Sequence, residues 1–281
     1  MDISIDRLRD KLPVNIIPVI HVDEIDFLSS APELNRVKEI YNSDNYTVVR
    51  IDDKLLKISN NYYEIRYLLN EYLVGCKLNE LRSVIPNFRM VYEIFIKDHM
   101  FVPEPDCLYL SCEHINGLPY DNIRDKSLYY ILCHHIQVVL ALYTASKELD
   151  FTHYDLGIWN LIIQPSETKK RRYVTPLGVR YVECADVSMI IDYEYSYVRD
   201  IECTTDKSFA INDVFTLLVS TMKLFDDERF LELAKLLRFF TNDTDRISVF
   251  KMKNLPYDKD TSIAEYIAHF DAEFPDILKT V

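Results

Sequence analysis

"THYDLGIWN", residues 152–160, decides how the rest of this sequence is interpreted, because it places a histidine, an aspartate and an asparagine on one short segment. Asp155 lies two residues after His153, and Asn160 follows five residues later. A transferred phosphoryl group needs a carboxylate that accepts the proton of the attacking hydroxyl, and metal ions that neutralise the developing charge. Asp155 suits the first role, and Asn160 offers an oxygen ligand for the second. Three fixed positions also recur by chance, so this interpretation needs partners elsewhere in the chain.

The composition describes a folded, acidic protein. The 281 residues are 48% hydrophobic and 12% aromatic, which argues against disorder and predicts one or two domains. The formal net charge of -13 argues against a general affinity for nucleic acid or for an anionic membrane surface. The apolar run at residues 14–22 is far too short to span a bilayer, so no membrane insertion is expected.

The six cysteines form no C-x-x-C pair and have no histidine at metal-ligand spacing. We expect buried thiols in a reducing compartment. Residues 1–10 alternate charged and apolar side chains and do not resemble a signal peptide. The predicted location is therefore intracellular and cytoplasmic, which would be the host cytoplasm for a viral protein.

Glycine is scarce. The chain has only four, against a usual share of roughly 7%. Neither a G-x-G-x-x-G fingerprint nor a Walker loop can therefore occur anywhere in it. Any phosphate-binding loop has to be built from other residues, and the candidate is the Asn- and Asp-containing turn at residues 41–47, because these residue types tolerate left-handed backbone angles.

The first ~115 residues are rich in strand patterns. Asp52-Asp53 separates two such runs and predicts a hairpin. Apolar residues then recur with helical spacing from Tyr63 to Leu81. The predicted strands of this part are residues 15–22, 45–51, 54–59, 87–96 and 107–115, and residues 116–119 are predicted to form a turn.

The second part is mostly helical. Ser127 is placed to cap a long helix that begins at Leu128. Two short buried strands are predicted at residues 161–164 and 188–193, with a polar stretch between them. Within that stretch, "KKRR" (residues 169–172) is interpreted as a solvated loop tip. Three closing helices are predicted at residues 211–225, 229–240 and 262–270, and the fold class is α+β.

Further candidate residues occur in a consistent order along the chain. Lys57 lies in a predicted strand, and the following helix carries Glu64 and Glu71, either of which can pair with it. Asp192 follows a branched apolar run, where a metal-binding carboxylate is expected, and Asp213 begins a predicted helix. Glu71 is favoured over Glu64, but the two lie on one helical face and the alternative stays open.

The histidines are interpreted as structural rather than chemical. His153 is predicted to be a structural residue of its loop and not a base. The neighbouring pair His134-His135 lies in the long predicted helix, where core or surface histidines are expected in preference to a metal site.

With these motifs the chain resembles a divergent member of the protein-kinase-like superfamily, from about residue 40 to about residue 245. It is most similar to the glycine-poor kinase-like proteins of large DNA viruses, which carry comparable "HYDL…WN" and "IIDY" segments. The resemblance implies a two-lobe fold, with a small β-rich N-lobe that has one main helix and a larger helical C-lobe. The expected domains are an N-lobe with an N-terminal extension at residues 1–112, a hinge at 113–118 and a C-lobe at 119–281.

The same resemblance implies the site residues. ATP would bind between the lobes, with Lys57 on its phosphates and Glu71 holding Lys57. Asp155 would be the catalytic base, while Asn160 and Asp192 would bind Mg²⁺. Glu113 and Ile115 of the hinge would contact ATP, with Cys112 as the gatekeeper. Asp213 would anchor the backbone of the catalytic loop.

The resemblance favours Mg²⁺-dependent phosphoryl transfer from ATP to a Ser or Thr hydroxyl of a protein. One alternative is a small-molecule phosphotransferase, which needs no peptide platform. The other is a pseudokinase that acts as a binding scaffold. Glu194, which replaces the glycine that the family has two residues after Asp192, favours the scaffold, as do the missing glycines. The intact Lys57, Asp155, Asn160 and Asp192 oppose it.

Overall fold

The computed structural model describes residues 37–42, 46–59, 65–97, 107–199, 201, 208–252 and 261–280. The chain is a mixed α+β protein, as the sequence predicts, and it divides into two compact units. Unit 1 holds the described residues up to Tyr72 and those from Met90 to His114. Unit 2 holds Leu73–Arg89 and the residues from Ile115 onward. The predicted strand at residues 15–22, Glu64 and residues 43–45 of the turn at 41–47 lie outside the described residues.

The division differs from the predicted domains in one place. The chain passes from unit 1 to unit 2 after His114, within the predicted hinge at 113–118, but residues 73–89 belong to unit 2. The reason lies at the end of this segment. Asn87 donates from its side chain to the Ser188 carbonyl at 2.8 Å, and its own carbonyl accepts the Ile190 N–H at 2.6 Å. These bonds fix the segment to a strand of unit 2.

Unit 1 is built on a five-stranded antiparallel sheet with the strand order β1-β2-β3-β5-β4. Its strands are β1 (Val37–Asn42), β2 (Tyr46–Ile51), β3 (Lys54–Ser59), β4 (Val91–Lys97) and β5 (Cys107–Glu113). The predicted hairpin between β2 and β3 is confirmed. Asp52 adopts a φ of 54° in its turn, a left-handed conformation that aspartate tolerates better than most residues.

Helix α1 (Ile65–Leu81) follows β3. Its buried side chains recur with helical spacing, at Ile65, Leu68 and Tyr72, which confirms the predicted period. The helix ends at Leu81, five residues before Pro86, because turns in which Val84 and Ile85 donate to the Leu81 carbonyl close it first.

Helix α2 (Leu128–Leu149) forms the centre of unit 2. Ser127 caps it by accepting the Tyr130 N–H, as predicted, and Asp150 ends it with a left-handed φ of 57°. By length and composition this helix could cross a membrane, but 72% of its most apolar window is buried inside the fold. It also carries the buried polar residues His134, His135 and Gln137. These features are typical of the core helix of a globular unit.

Unit 2 has two small antiparallel sheets. One has the order β10-β7-β6 and the other is the hairpin β8-β9. The strands are β6 (Leu118–Pro119), β7 (Leu161–Pro165), β8 (Lys170–Thr175), β9 (Gly178–Glu183) and β10 (Asp186–Ile190). Residues 118–119 therefore pair with β7 instead of forming only a turn. The core beside β7 and β10 includes Ile115, Val187 and Met189.

The prediction that "KKRR" forms a solvated loop tip is wrong. Residues 170–175 form strand β8, whose side chains alternate between exposed and buried. Arg171 is on the buried side, and its Nη1 donates to the Cys184 carbonyl at 2.7 Å and to the Asp186 carbonyl at 3.0 Å. A buried guanidinium is tolerated when hydrogen bonds compensate it. These carbonyls lie more than ten residues away in the sequence, which is why local charge patterning did not reveal them.

Four helices close unit 2: α3 (Ala210–Met222), α4 (Glu228–Leu237), α5 (Arg246–Lys251) and α6 (Ile263–Glu273). Three were predicted, and α5 was not. Ser262 begins α6 with a capping box, in which its hydroxyl accepts the Glu265 N–H and the Glu265 carboxylate accepts the Ser262 N–H. Tyr266 of α6 is fully buried, with its ring edge to face with Phe239 and tilted against Phe240.

The cysteines described with side chains are free thiols, as expected. Cys112, Cys133 and Cys184 are buried, and Cys76 is half-buried. The side chains of Cys107 and Cys203 lie outside the described residues.

Candidate active site

The loop between α2 and β7 carries the segment "THYDLGIWN", residues 152–160. It starts at the left-handed Asp150, and Phe151 behind it is fully buried. Thr152 then pairs with Tyr197 in an isolated antiparallel bridge, with N–H to carbonyl distances of 3.0 and 2.7 Å in the two directions. Both ends of the loop are therefore fixed to the core of unit 2, which gives the side chains between them defined positions.

Asp213, near the start of α3, holds the backbone of this loop. One carboxylate oxygen accepts the His153 N–H at 2.6 Å and the other accepts the Tyr154 N–H at 2.9 Å. Tyr154 has a left-handed φ of 66°, so the chain turns sharply at this point. Burial raises the pKa of the Asp213 carboxyl to about 7; the two N–H donors act against this, and the charge of Asp155 adds to it. The geometry matches the anchoring role that the resemblance implies for Asp213.

His153 is buried and is not placed as a base. Its Nε2 lies 2.9 Å from the Ile191 carbonyl, so the ring donates a proton there. Its ring also meets Phe151 and Tyr193 edge to face, with centroid distances of 6.3 and 6.1 Å. The residue thus fastens the loop to the segment that precedes Asp192.

Asp155 and Asn160 lie together. The Asn160 side-chain nitrogen donates to the Asp155 carbonyl at 2.9 Å and to Asp155 Oδ2 at 3.1 Å. Trp159 Nε1 donates to the same Oδ2 at 3.3 Å. Because the amide nitrogen of Asn160 is occupied by Asp155, its Oδ1 points elsewhere, and no described residue donates to it. That oxygen is the atom with which Asn160 could bind a cation.

Asp192 lies at the same end of the β7-β10 pair. Leu161 pairs with Ile190, and one step further the Ile191 N–H donates to the Asn160 carbonyl at 3.1 Å. Asn160 directly precedes β7 and Asp192 lies two residues after β10, and both are at the same end of the pair because the strands run antiparallel. Asp192 has a left-handed φ of 66°, which turns the chain away from the strand. Carboxylate and amide oxygens are the ligand types that Mg²⁺ prefers, so Asn160 and Asp192 fit such an ion.

Tyr193, next to Asp192, points into the core. Its hydroxyl donates to the Ile190 carbonyl at 2.8 Å, and its ring meets Phe88 at a centroid distance of 6.4 Å. The side chain is fully buried. Tyr193 therefore fixes the backbone at the position from which the Asp192 carboxylate extends.

Lys57 and Glu71 form an ion pair within unit 1. Lys57 Nζ lies 2.9 Å from Glu71 Oε2, with the side chains 11% and 0% exposed. The ammonium also lies 4.3 Å from the centre of the Tyr46 ring. Such a buried pair is costly to desolvate, so its retention is typical of a functional or specificity role. The structure pairs Lys57 with Glu71, the favoured partner; Glu64 is outside the described residues.

The predicted hinge and gatekeeper residues Cys112, Glu113 and Ile115 are held by both backbone and side-chain contacts. The Glu113 carboxylate accepts the Met90 N–H at 3.1 Å, while the Glu113 N–H donates to the Met90 carbonyl at 2.9 Å. Cys112 is buried, and its thiol faces the Leu55 carbonyl at 3.7 Å. Ile115 is 5% exposed and packs with Val187 and Met189 in unit 2.

Trp159 was missed at the level of sequence. Its indole touches the Asp155 carboxylate, yet 59% of the side chain is exposed. Two signals could have identified it: it is the only tryptophan of the chain, and it directly precedes Asn160.

Comparison with known proteins gives distant viral relatives. No family model matches the chain. It is similar to uncharacterized protein 038R of Invertebrate iridescent virus 3, with 28% identity over 120 residues that cover 36% of this chain and 22% of that protein. It is also similar to uncharacterized protein 179R of Invertebrate iridescent virus 6, with 27% identity over 146 residues that cover 48% of this chain and 12% of that protein. The matched segments thus span less than a quarter of the length of either relative. The similarity is weak, and it indicates a viral protein.

Proposed function

We propose that this protein transfers a phosphoryl group from ATP to a hydroxyl acceptor with the help of Mg²⁺, on a two-lobe kinase-like fold, in the cytoplasm of the host cell. The observation that carries the proposal is the set of contacts that brings Asp155, Asn160 and Asp192 to one end of the β7-β10 pair. Asp213 and His153 fix the backbone of that end from behind.

Asp155 is assigned to the acceptor hydroxyl. Trp159 and Asn160 donate to its Oδ2, so one carboxylate oxygen is oriented by the protein. The other oxygen is then available to align the acceptor and take its proton. A positioned proton acceptor of this kind contributes roughly 10²–10⁴-fold to a rate.

Asn160 Oδ1 and the Asp192 carboxylate are assigned to Mg²⁺. The ion would neutralise charge on the phosphate oxygens during transfer. Strand pairing brings the backbones of Asn160 and Asp192 to one end of the β7-β10 pair, which supports their assignment to one ion.

Lys57 is assigned to the phosphates of ATP, with Glu71 as the residue that orients its ammonium. The short Lys57–Glu71 distance supports this assignment, since a lysine used as a positioned charge needs a partner that limits its rotamers. Glu113 and Ile115 are assigned to the adenine end through their backbone groups.

A Ser or Thr hydroxyl of a protein is the acceptor that the family resemblance favours. A small-molecule acceptor is the second candidate, and one feature supports it. The chain after Asp192 turns inward: Tyr193, Ser196 and Val198 are buried, and Tyr197 pairs with Thr152. Within residues 193–199 only Tyr195 and Arg199 are exposed, which favours a small acceptor over an extended peptide along this described segment.

The test is incubation of the full chain with γ-labelled ATP and Mg²⁺, alone and with panels of proteins and small hydroxyl compounds. We expect label on an acceptor, and loss of label transfer in Asp155→Ala. Asp226→Ala, an exposed aspartate of unit 2 outside the site, is the matched control. Binding of ATP·Mg²⁺ by wild type without any transfer would instead support the scaffold alternative, and the absence of both binding and transfer would refute a nucleotide-dependent function.

A further inference from the structure

Trp159 is an exposed aromatic residue in a fixed position beside the candidate base. Its side chain is 59% exposed, although large aromatic rings are usually well covered in folded proteins. Its Nε1–H donates to Asp155 Oδ2 at 3.3 Å, and Asn160 follows it directly in the chain. Because the exposed indole is hydrogen-bonded to the Asp155 carboxylate, it is positioned to contact a molecule that binds next to this carboxylate.

Gly157 makes this position of the ring possible. A Cβ atom built on Gly157 would lie 2.3 Å from ring atoms of Trp159, far closer than any real contact. The ring thus lies against the backbone of Gly157, in space that the side chain of any other residue would occupy. It is held by packing on one side and by the Asp155 hydrogen bond at its nitrogen. The rest of the indole surface is open to solvent.

A flat aromatic surface favours flat or ring-shaped partners. Stacking on an aromatic side chain typically contributes about 1–3 kcal/mol, which corresponds to roughly 5- to 150-fold in affinity. Because the ring position is fixed before binding, little rotamer freedom is lost on contact. The indole is thus an exposed apolar surface directly beside the Asp155 carboxylate, to which its nitrogen donates.

We propose that Trp159 is the specificity-determining residue of the acceptor site, and that it binds a small acceptor whose reactive hydroxyl is carried on a ring, such as a pyranoside or a phenol. This inference rests on the proposed function in its small-molecule form. The acceptor oxygen forms a bond to the γ-phosphorus, the bond from that phosphorus to the β–γ bridging oxygen breaks, and ADP leaves with the electron pair. The acceptor proton goes to Asp155.

Binding can be measured without catalysis, because Trp159 is the sole tryptophan and its emission reports on this position alone. The full chain is titrated with methyl glucoside and 4-hydroxybenzyl alcohol as ring-bearing probes, and with glycerol and N-acetylserinamide as open-chain probes. We expect saturable changes in emission with a ring-bearing probe at concentrations where the open-chain probes have no effect. Equal responses to both kinds of probe, or none to either, would overturn the proposal.

Transfer kinetics give the second measurement. Trp159→Leu removes the flat face and should raise KM for a ring-bearing acceptor at least tenfold. Trp159→Phe keeps a ring but loses the N–H, so it should retain KM and lose mainly kcat. Phe250→Leu removes an exposed ring of α5 far along the chain and is the matched control. An unchanged KM in Trp159→Leu would refute the role of Trp159 in acceptor specificity. The same conclusion would follow if wild type and Trp159→Leu both preferred a serine peptide as acceptor.

Thermal shift with ATP·Mg²⁺ separates this inference from the function on which it rests. We expect the same nucleotide-induced shift in wild type, Trp159→Leu and Trp159→Phe. If wild type shows no shift, the proposed function fails, while the emission titration still decides whether Trp159 binds ring compounds. If the shift is present and the titration is flat, only the inference on Trp159 fails.

Discussion

Asp213 lies 60 residues after His153 in the sequence, yet its carboxylate accepts the His153 N–H at 2.6 Å and then the next N–H, of Tyr154, at 2.9 Å. A buried carboxylate with two backbone donors defines the course of the loop that carries Asp155.

Asp213→Asn should destabilise the protein by roughly 2–3 kcal/mol, since an amide can accept one of the two N–H groups but turns a donor toward the other. Chemical denaturation of wild type and variant at pH 5 measures the difference in unfolding free energy. Asp226→Asn, on an exposed site, should be neutral. A neutral effect of Asp213→Asn would show that the loop holds its course without this carboxylate.

The stability of wild type relative to Asp213→Asn should depend on pH. The pKa of Asp213 is raised by burial from an ordinary 3.8 to about 7, so the folded state binds this proton more tightly than the unfolded state. This contribution is complete below pH 4 and is lost as the pH rises to 7. The stability advantage of wild type over the variant should therefore shrink between pH 5 and pH 7. Denaturation midpoints at half-unit steps test this, and an advantage that grows over the same range would contradict it.

Lys57→Met and Glu71→Leu should each destabilise unit 1 strongly, by about 3–5 kcal/mol, because each removes one partner of a 2.9 Å ion pair from a buried position. The double variant should recover much of that loss, as no charge remains. Its ATP·Mg²⁺ binding should stay abolished if Lys57 holds the phosphates. Denaturation and thermal shift on the same three proteins separate stability from binding. A double variant that binds ATP as wild type does would remove Lys57 from the site.

Gly157→Ala should displace the Trp159 ring, since the added Cβ has no room. The emission maximum of this single tryptophan should shift to the red and its quenching by acrylamide should increase, with little change in unfolding free energy. Gly178→Ala is not a suitable comparison, because Gly178 has a φ of 91° that disfavours alanine. Asp226→Ala serves instead, and its emission should equal that of wild type.

Asp155→Ala and Asp192→Ala should differ in whether they lose the transfer rate alone or nucleotide binding as well. Asp155 is assigned to the acceptor, so its variant should bind ATP·Mg²⁺ nearly normally and lose roughly 10²–10⁴-fold in transfer rate. Asp192 is assigned to the metal, so its variant should lose binding as well. Thermal shift at fixed ATP and varied Mg²⁺ measures nucleotide binding by each variant, and transfer of label to an acceptor measures its rate. Full transfer by Asp155→Ala would contradict the assignment from which the function was inferred.

Local patterns predicted much of this architecture. The turn at Asp52, the cap at Ser127 and the period of α1 are decided by neighbours within a few residues, and the structure agrees with each. The anchoring of the loop by Asp213 was predicted from the family resemblance, because a contact over 60 residues leaves no local trace.

What was missed depends on distant partners. Arg171 was taken for a solvated residue, since nothing near it in the sequence shows that the Cys184 and Asp186 carbonyls receive its guanidinium. Trp159 was passed over for a related reason. The position of its ring depends on the space that Gly157 leaves by having no Cβ atom, and that space is recognised only when the folded shape of the loop is known.

The contacts of His153 also have a consequence for the order in which the protein is made. This one residue is held by Ile191, 38 positions later, and by Asp213, 60 positions later. Long-range contacts form late, after the loops between them have closed. During synthesis from the N-terminus, the loop that carries Asp155 leaves the ribosome well before either partner does. We expect nascent chains that end before Ile191 to hold a folded unit 1 sheet and an unformed Asp155 loop, so that this protein gains any chemistry only when α3 has been synthesised.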